Sequence, residues 1–286
     1  MSERITVDKN HLDSIEGNAS LSGLTAFINA GGRGTRLSSL FEPGAKGICK
    51  ALLPIGKPPI TFVEHQVNKL IRAGVPTIVA DVGDHKDAAE HVRATYRDDP
   101  RVHALHYEEP LESGGGLVRI VREHPHLFKS HIYICCIDTI LDIDEADMLN
   151  KHVKTDGEIT IALTRNSNVP NEGAYYVGLD QQVLYTTETT GMSNPDQRVL
   201  QNTVYRGSST GAIIANVDYV RSVAWNPSDG PMSLYRDASI IGAAVSAGSM
   251  YAYDNGDKLF TDVGTVESWN RFHDDYDMMA PYIHYT

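Results

Sequence analysis

Cysteine is scarce in this sequence of 286 residues, which has only Cys49, Cys135 and Cys136. The count is odd and no C-x-x-C pair occurs, so the sequence offers neither a disulfide framework nor a cysteine-rich zinc site. No apolar run approaches the roughly 18 residues of a membrane-spanning helix. The first residues also lack the apolar stretch of a secretory signal. These absences predict a soluble protein with reduced thiols, and we expect it to be cytoplasmic.

Basic residues are also few. Lys and Arg total 25 against 37 Asp and Glu, which gives a formal net charge of −12 at pH 7 with His neutral. Proteins that bind nucleic acid or an anionic membrane surface usually carry a basic stripe. We therefore expect no nucleic-acid partner and no membrane partner. If the substrate is an anion, the few cations must be concentrated at one site.

Short apolar runs alternate with amphipathic segments through the first half of the chain. Four runs predict buried strands and three segments predict helices. The strands are predicted at 24–30, 77–82, 102–107 and 131–136, and the helices at 61–73, 84–96 and 114–122. This alternation is typical of βαβ units. It predicts an α/β, Rossmann-like fold with a mostly parallel central sheet and helices on both faces.

The second half has shorter apolar runs, some of them separated by hairpin-like polar turns. They predict a smaller, partly antiparallel region on the substrate side. Since no Gly/Ser-rich or Pro-rich linker divides the chain, we interpret 23–286 as one domain that follows an N-terminal arm at 1–22. Within that domain, 23–150 is predicted to be a nucleotide-binding half and 151–286 a sugar-phosphate-binding half.

A glycine-rich turn, GGRGTRL at 31–37, follows the first predicted strand directly. Gly31, Gly32 and Gly34 allow the backbone to turn tightly and to approach a phosphate without side-chain collision. Thr35 adds a hydroxyl donor and Arg36 a fixed cation, both suited to a triphosphate. Alone, the pattern also fits an ordinary turn between a strand and a helix.

A second motif, KALLPIGKP at 50–58, favours phosphate binding over an ordinary turn. The two motifs together resemble the opening of the sugar-1-phosphate nucleotidylyltransferase family, G-G-x-G-T-R-L followed by P-K-x-L-L-P-I and K-P. Cys49 stands where that family has proline. The resemblance implies that Arg36 and Lys50 are catalytic, since they would bind the triphosphate and stabilise charge during transfer.

The segment LESGGGL at 111–117 is similar to the family's L-G-T-A/G-G-A-L stretch, whose backbone lies against the nucleobase. The resemblance therefore assigns Glu112, Gly114 and Gly115 to nucleotide binding. Glu112 occupies a position where the family usually has glycine. Taken alone, the segment also fits a flexible loop before a helix.

Two acidic residues match the family's metal ligands. Asp138 ends IYICCID at 132–138, where the family has a strand that ends in N-G-D, and Asp262 lies in DVGTVE, which resembles D-I-G-T-P-E. An acidic residue at the carboxyl end of a strand faces the usual ligand crevice of an open α/β sheet. Two carboxylates suit a hard cation, and we expect Mg²⁺ as cofactor. Ile137 replaces the family's glycine.

The acceptor side matches less of the family pattern. The resemblance assigns Gly173, Glu188, Gly211 and Arg236 to the sugar phosphate. Thr189 stands where the family has a lysine that contacts this phosphate, and Arg206 or Arg236 is the candidate replacement cation.

The sequence thus predicts that a nucleoside triphosphate and a sugar-like 1-phosphate are joined to give an NDP-sugar and pyrophosphate. Two alternatives stay open: the same chemistry on a cyclitol or pseudo-sugar phosphate in secondary metabolism, and a non-catalytic relative that binds nucleotide sugars. A dinucleotide-binding oxidoreductase does not account for the motif at 50–58. The L-x-x-G-G stretch slightly favours GTP, and the family resemblance makes a homodimer a reasonable expectation.

Overall fold

The structure is a computed structural model that describes residues 21–32, 34–40, 49–109, 111–165, 173–190, 194–236 and 239–284. The side chains of Ser38, Ser39, Thr189, Thr190, Met278 and His284 are outside this description. The strands in these ranges are β1 Leu24–Asn29, β2 Pro54–Ile55, β3 Ile60–Thr61, β4 Thr77–Asp81, β5 Val102–Leu105, β6 His131–Cys136, β7 Thr139–Leu141, β8 Ile159–Thr164, β9 Ala174–Val177, β10 Val183–Thr186, β11 Tyr205–Asn216, β12 Met250–Asp254 and β13 Phe260–Asp262.

The helices in the same ranges are α1 Phe62–Arg72, α2 Lys86–Thr95, α3 Glu112–Glu123, α4 Glu145–Thr155, α5 Thr187–Thr190, α6 Gln197–Asn202, α7 Val217–Ser222, α8 Ile240–Ser246, α9 Val266–Asp274 and α10 Tyr276–His284. None of the described helices is long and apolar enough to cross a bilayer. Between β1 and β6 the helices α1, α2 and α3 alternate with β4, β5 and β6, as the sequence pattern predicts, and the short strands β2 and β3 lie between β1 and α1.

The first half of the chain forms the parallel part of a nine-stranded sheet. Strands β5, β4, β1 and β6 lie side by side in that order, and every neighbouring pair is parallel. Their carboxyl ends therefore meet at one edge, where the loops after β1, β4 and β6 come together. This edge positions the candidate site.

The second half continues the same sheet with antiparallel strands. The long strand β11 pairs antiparallel with β6, with Ile213 opposite Ile134, and it also pairs antiparallel with β8 and β9. These two strands carry β12 and β10 at the outer positions. The predicted α/β fold, with a mostly parallel sheet and a smaller partly antiparallel region, is confirmed. The division at 150 stays a prediction, as does the arm at 1–22, of which residues 1–20 are outside the described residues.

Helices cover both faces of the sheet. Since successive side chains of β1 point to opposite faces, both sets of side chains are buried. Ala26 and Ile28 face a hydrophobic cluster with α1 and α2, whereas Phe27 faces a second cluster with α3. A capping box between Thr61 and Glu64 begins α1. Burial on both faces accounts for the continuous apolar runs in the sequence.

A small two-stranded sheet joins two distant parts of the chain. Strand β7, three residues after β6 ends, pairs antiparallel with β13, so that Thr139 lies opposite Asp262. The Val263 N–H donates to the Asp138 carbonyl over 2.9 Å. This pairing places the two predicted metal ligands next to each other.

Candidate active site

Lys50 and Asp138 form a buried ion pair at the carboxyl edge of the sheet. Lys50 begins a short 3-10 turn, Lys50–Leu52, and Asp138 follows β6 directly. The Lys50 Nζ donates to Asp138 Oδ2, and the two residues are 7% and 8% exposed. Removing one partner of a buried ion pair leaves an uncompensated charge, which strongly destabilises a folded protein. In this arrangement, each of the two buried charges is therefore compensated by the other.

Asp262 and Arg36 join this pair around Gly264. A Cβ atom added to Gly264 would lie 3.0 Å from Asp138 Oδ2 and 3.2 Å from Arg36 Nη2. The Gly264 N–H also donates to Asp262 Oδ1. We call the side chains of Arg36, Lys50, Asp138 and Asp262 the charged cluster. All four predicted charges thus lie together, although their functional roles stay predictions.

The electrostatics of the charged cluster combine two carboxylates with two cations. Burial raises the pKa of Asp262, and the charge of Asp138 raises it further. The Gly264 N–H, Lys50 and Arg36 oppose this rise in the pKa. Two ionised carboxylates this close repel each other, and a cation bound between them would relieve that repulsion.

This donor set fits the predicted Mg²⁺. In the described ranges, no group of three or more His, Cys, Asp or Glu side chains could hold a metal ion. A cation at the charged cluster would therefore rely on the two carboxylates and on further oxygens from substrate or water. Mg²⁺ is commonly bound in this way, through one or two carboxylates and the phosphates of a substrate. The residues present are compatible with it.

The glycine-rich turn packs closely on the loop that follows β4. A Cβ atom on Gly31 would lie 3.0 Å from the backbone of Gly83, and Gly34 has φ +57°, so both positions favour glycine. Gly32 is exposed and has no described atom within 4 Å of its Cβ position. Thr35 and Arg36 are exposed on the 3-10 turn Thr35–Leu40, which packs on α9.

The predicted nucleobase segment forms the first turns of α3. Gly114 and Gly115 both donate their N–H groups to the Met232 carbonyl over 2.9 Å. Added Cβ atoms there would come within 2.9 Å of the Ser233 backbone or the Trp225 ring. Packing within the chain therefore already requires glycine at these positions, and their role at the nucleobase stays a prediction. Glu112 is exposed and begins the helix with φ +56°.

Two of the predicted acceptor residues, Gly173 and Glu188, touch each other. Gly173 has φ +81°, and a Cβ atom on it would lie 2.2 Å from Glu188 Oε1. The Tyr175 hydroxyl donates to Glu188 Oε2. Burial raises the pKa of Glu188, and the Tyr175 hydrogen bond opposes the rise. Glu188 is thus held by a tyrosine that the sequence motif did not single out.

Gly211 connects this acceptor region to the charged cluster. It has φ +76°, and its Cβ position lies 3.1 Å from the Cys136 Sγ, two residues before Asp138. The same thiol lies 3.8 Å from the Tyr235 hydroxyl. The neighbouring Arg236 has an exposed side chain and makes no ion pair with any described residue. Tyr235 thus contacts the segment that leads to Asp138, whereas the role of Arg236 stays a prediction.

Gln66 supports the loop that carries Asp138. It lies on α1, is 3% exposed, and donates from Nε2 to the carbonyl oxygens of Thr139 over 2.6 Å and of Cys136 over 3.2 Å. These carbonyls flank Asp138 on both sides. The amide of Gln66 therefore fixes the backbone around Asp138, a role that no local sequence pattern indicates.

Comparison with known proteins adds an independent observation. The family model described as "Nucleotidyl transferase" matches residues 25–208. None of the curated proteins matches the chain.

Solved structures with the same fold are similar over most of the chain. HddC from Yersinia pseudotuberculosis is 18% identical, with a TM-score of 0.64 over 88% of this chain and 99% of HddC, and it has also been solved in complex with GMP-PN. The inositol-1-phosphate CTP transferase from T. maritima is 16% identical, with a TM-score of 0.63 over 90% of this chain and 95% of its own. A candidate glucose-1-phosphate thymidylyltransferase from Bacillus anthracis, in complex with sucrose, is 15% identical, with a TM-score of 0.66 over 87% and 93%. At these identities the likeness establishes the fold.

Proposed function

The chain belongs to the nucleotidyl transferase family, and on that premise we propose that it acts on a nucleoside triphosphate and a sugar or sugar-like 1-phosphate. The products are an NDP-sugar and pyrophosphate, as in nucleotide-sugar biosynthesis. The observation that carries this proposal is the charged cluster, because it places two cations and two carboxylates where the glycine-rich turn meets the loop after β6.

The reaction needs little help from a general base, because the acceptor phosphate is already an anion. Its oxygen attacks the α-phosphorus in line, a new P–O bond forms, and the P–O bond to the β-phosphate breaks. The electron pair leaves with pyrophosphate. Since both reactants are anions, their mutual repulsion limits the rate, and catalysis requires positioning and charge neutralisation.

The roles follow from the charges. Arg36 and the amides of Gly31, Gly32 and Gly34 hold the β- and γ-phosphates that leave as pyrophosphate, with Thr35 as a further donor. Lys50 is released from Asp138 to contact the α-phosphate. Asp138 and Asp262 would hold Mg²⁺, which would supply positive charge to offset the repulsion between the two phosphorylated reactants.

The acceptor is bound in the region of Gly173 and Glu188, which Gly211 connects to the charged cluster. Glu188, which the Tyr175 hydroxyl holds in place, binds hydroxyl groups of the ring. Gly173 admits the Glu188 carboxylate, and Gly211 admits the Cys136 thiol. Arg236, which is exposed, is our candidate for the cation at the acceptor phosphate. A carboxylate and hydroxyl groups recognise the hydroxyl groups of a sugar and of a cyclitol equally. A cyclitol phosphate is therefore the second candidate acceptor.

A pyrophosphate-release assay tests the proposal. Purified protein is incubated with Mg²⁺, each of GTP, ATP, CTP, UTP and dTTP, and glucose 1-phosphate, mannose 1-phosphate or myo-inositol 1-phosphate. We expect pyrophosphate only when one triphosphate and one acceptor are both present, and none after EDTA is added. Lys50→Ala should lower kcat on the order of 10²- to 10³-fold, by analogy with the removal of an oxyanion donor.

Lys86→Ala is the matched control, because Lys86 is exposed on α2 and, among the described residues, pairs with Glu90 alone at the surface. It should turn over as the wild type does. Triphosphate binding without pyrophosphate release would instead support a non-catalytic relative, and normal turnover by Lys50→Ala would contradict the assigned role. The homodimer stays a prediction, for which sedimentation equilibrium is the measurement.

A further inference from the structure

Asp81 is a buried carboxylate that the proposed chemistry does not use. It is the last residue of β4, where it lies beside Asn29 of β1 and Leu105 of β5 in the sheet register. The Ala30 N–H donates to the Asp81 carbonyl over 2.8 Å, immediately before the glycine-rich turn. Asp81 therefore sits at the carboxyl edge of the parallel strands, where ligands of open α/β sheets bind.

The Asp81 side chain has very few partners. It is 5% exposed, and its Oδ1 accepts the Gly83 N–H over 3.0 Å. Its Oδ2 faces α3, where a Cβ atom on Gly116 would lie 2.4 Å away. Within the described part of the chain, Oδ2 accepts no hydrogen bond, and no Lys, Arg or His side chain pairs with the carboxylate.

Burying an ionised carboxylate with so few partners costs free energy. Burial raises its pKa to about 6, and the Gly83 N–H opposes the rise. It is therefore mostly ionised at neutral pH, and it accepts one hydrogen bond although its two oxygens could accept several. An acceptor of this kind suits a ligand that brings its own donors.

The surroundings indicate which part of a ligand would come there. On one side, the Gly83 loop touches Gly31 of the glycine-rich turn, with 3.0 Å between the Gly31 Cβ position and the Gly83 backbone. On the other side, Gly116 continues the stretch that includes Gly114 and Gly115. Asp81 thus lies between the two segments that the sequence assigns to the nucleotide.

We propose that Asp81 reads the nucleobase, and that its carboxylate accepts hydrogen bonds from the N1–H and 2-amino groups of guanine. This inference rests on the proposed function, and it names GTP as the donor substrate. An ionised carboxylate only accepts hydrogen bonds, and two adjacent donors match its two oxygens. Adenine and cytosine place a ring nitrogen acceptor beside their amine, and uracil and thymine place carbonyls on both sides of one N–H. Each of these bases would set a lone pair against the carboxylate.

Binding measured by isothermal titration calorimetry with Mg²⁺ tests the inference. The ligands are GTP, ITP, which lacks the 2-amino group, ATP, CTP, UTP and dTTP. The wild type should bind GTP most tightly and ITP about tenfold more weakly, since the ITP complex lacks one charge-assisted hydrogen bond. Asp81→Asn keeps an acceptor for the Gly83 N–H but removes the charge. It should bind GTP roughly 10- to 100-fold more weakly and lose most of the preference for GTP over ITP.

Asp87→Asn is the matched control, because Asp87 is an exposed carboxylate on the neighbouring helix α2. It should keep the wild-type affinity for GTP. If Asp81→Asn does not fold, N1-methyl-GTP with the wild type gives a second test, and it should bind about tenfold more weakly than GTP.

The outcomes separate this inference from the proposed function. Tightest binding of another triphosphate, or an unchanged ratio of GTP to ITP affinity in Asp81→Asn, overturns the role of Asp81 and leaves the transferase proposal standing. Failure of every triphosphate to bind overturns both.

Discussion

Gly264 lies so close to Asp138 that a Cβ atom on it would be 3.0 Å from the Asp138 Oδ2. The same Cβ atom would be 2.5 Å from Asp262 Oδ1 and 3.2 Å from an Arg36 nitrogen. Only a residue without a side chain lets these three groups meet. The charged cluster therefore requires a residue without a Cβ atom at position 264.

Gly264→Ala should consequently impair catalysis more than folding. The added methyl group displaces at least one carboxylate, and a misplacement of about 1 Å can lower the rate on the order of 10²-fold. We expect kcat/KM for pyrophosphate release to fall by that factor, with a near-normal Tm. Gly23→Ala is the control, because its Cβ would make only ordinary contacts with Ser130, the nearest at 3.6 Å. Normal turnover by Gly264→Ala would show that the cluster is not catalytic.

Gln66 should act on Mg²⁺ through the backbone around Asp138. Gln66→Leu keeps a similar volume but removes both hydrogen bonds to the carbonyls of Thr139 and Cys136. An unsatisfied buried carbonyl costs about 1–3 kcal/mol, and the Asp138 loop gains freedom to move. We expect a lower Tm and a higher Mg²⁺ concentration for half-maximal activity.

The matched variant for this test is Asn68→Leu, which removes an exposed amide from the same helix. It should leave the Mg²⁺ dependence unchanged. A Gln66→Leu protein that loses stability but keeps the wild-type Mg²⁺ dependence would limit Gln66 to a structural role.

Most of the parallel half of the fold could be predicted from the sequence, because each element carries its own local pattern. Strand β6 has the predicted bounds 131–136, and α1 differs from its predicted range by a single residue at each end. Strands β7 and β13 could not be predicted, because three residues show no periodicity and their partners are more than a hundred residues apart. That pairing is what brings Asp262 to Asp138.

Site residues that lie in sequence motifs can be predicted from the sequence, whereas residues that join the site through contacts between distant segments cannot. The motifs supplied Lys50, Asp138 and Asp262, which the structure places together. Gln66 and Tyr235 were not predicted, because their contacts with the segment around Cys136 lie 70 and 99 residues away along the chain. The cation sought near Tyr235, Arg236, has an exposed side chain.

Glu112 begins α3 in a backbone conformation that favours glycine. Its φ is +56°, where an L residue with a side chain is strained by roughly 1–2 kcal/mol. Its side chain is exposed, so little packing is lost on its removal. We expect Glu112→Gly to raise the free energy of unfolding by about 1 kcal/mol, measured by urea denaturation.

Glu90→Gly is the comparison for this prediction, since Glu90 is also exposed on a helix but does not have a positive φ. It should lower the free energy of unfolding by about 1 kcal/mol. If both substitutions destabilise the protein equally, the strain at Glu112 is absent.

His152 should make the protein less stable in acid. It is 1% exposed, its Nε2 donates to Asn216 Oδ1 over 3.1 Å, and its Nδ1 accepts from the Thr160 hydroxyl over 2.8 Å, an arrangement that suits the neutral ring. Burial lowers the pKa of His152 to about 4, the Asn216 hydrogen bond opposes this, and the charge of His131 adds to it. The unfolded chain, with an ordinary pKa near 6.5, therefore binds a proton before the folded chain does. The stabilising contribution is complete above about pH 6.5 and is lost as the pH falls towards 4.

The expected loss between these pH values is roughly 3 kcal/mol, from the difference between a pKa of 6.5 and one of about 4 at about 1.36 kcal/mol for each pH unit. Urea denaturation of the wild type and of His152→Gln, at several pH values from 7 to 4, measures it. The variant starts less stable, but its stability should fall less steeply over this range, because glutamine does not titrate. Carboxylates titrate in both proteins, so the difference between the two curves isolates His152. Parallel curves would mean that protonation of His152 is not what destabilises the fold in acid.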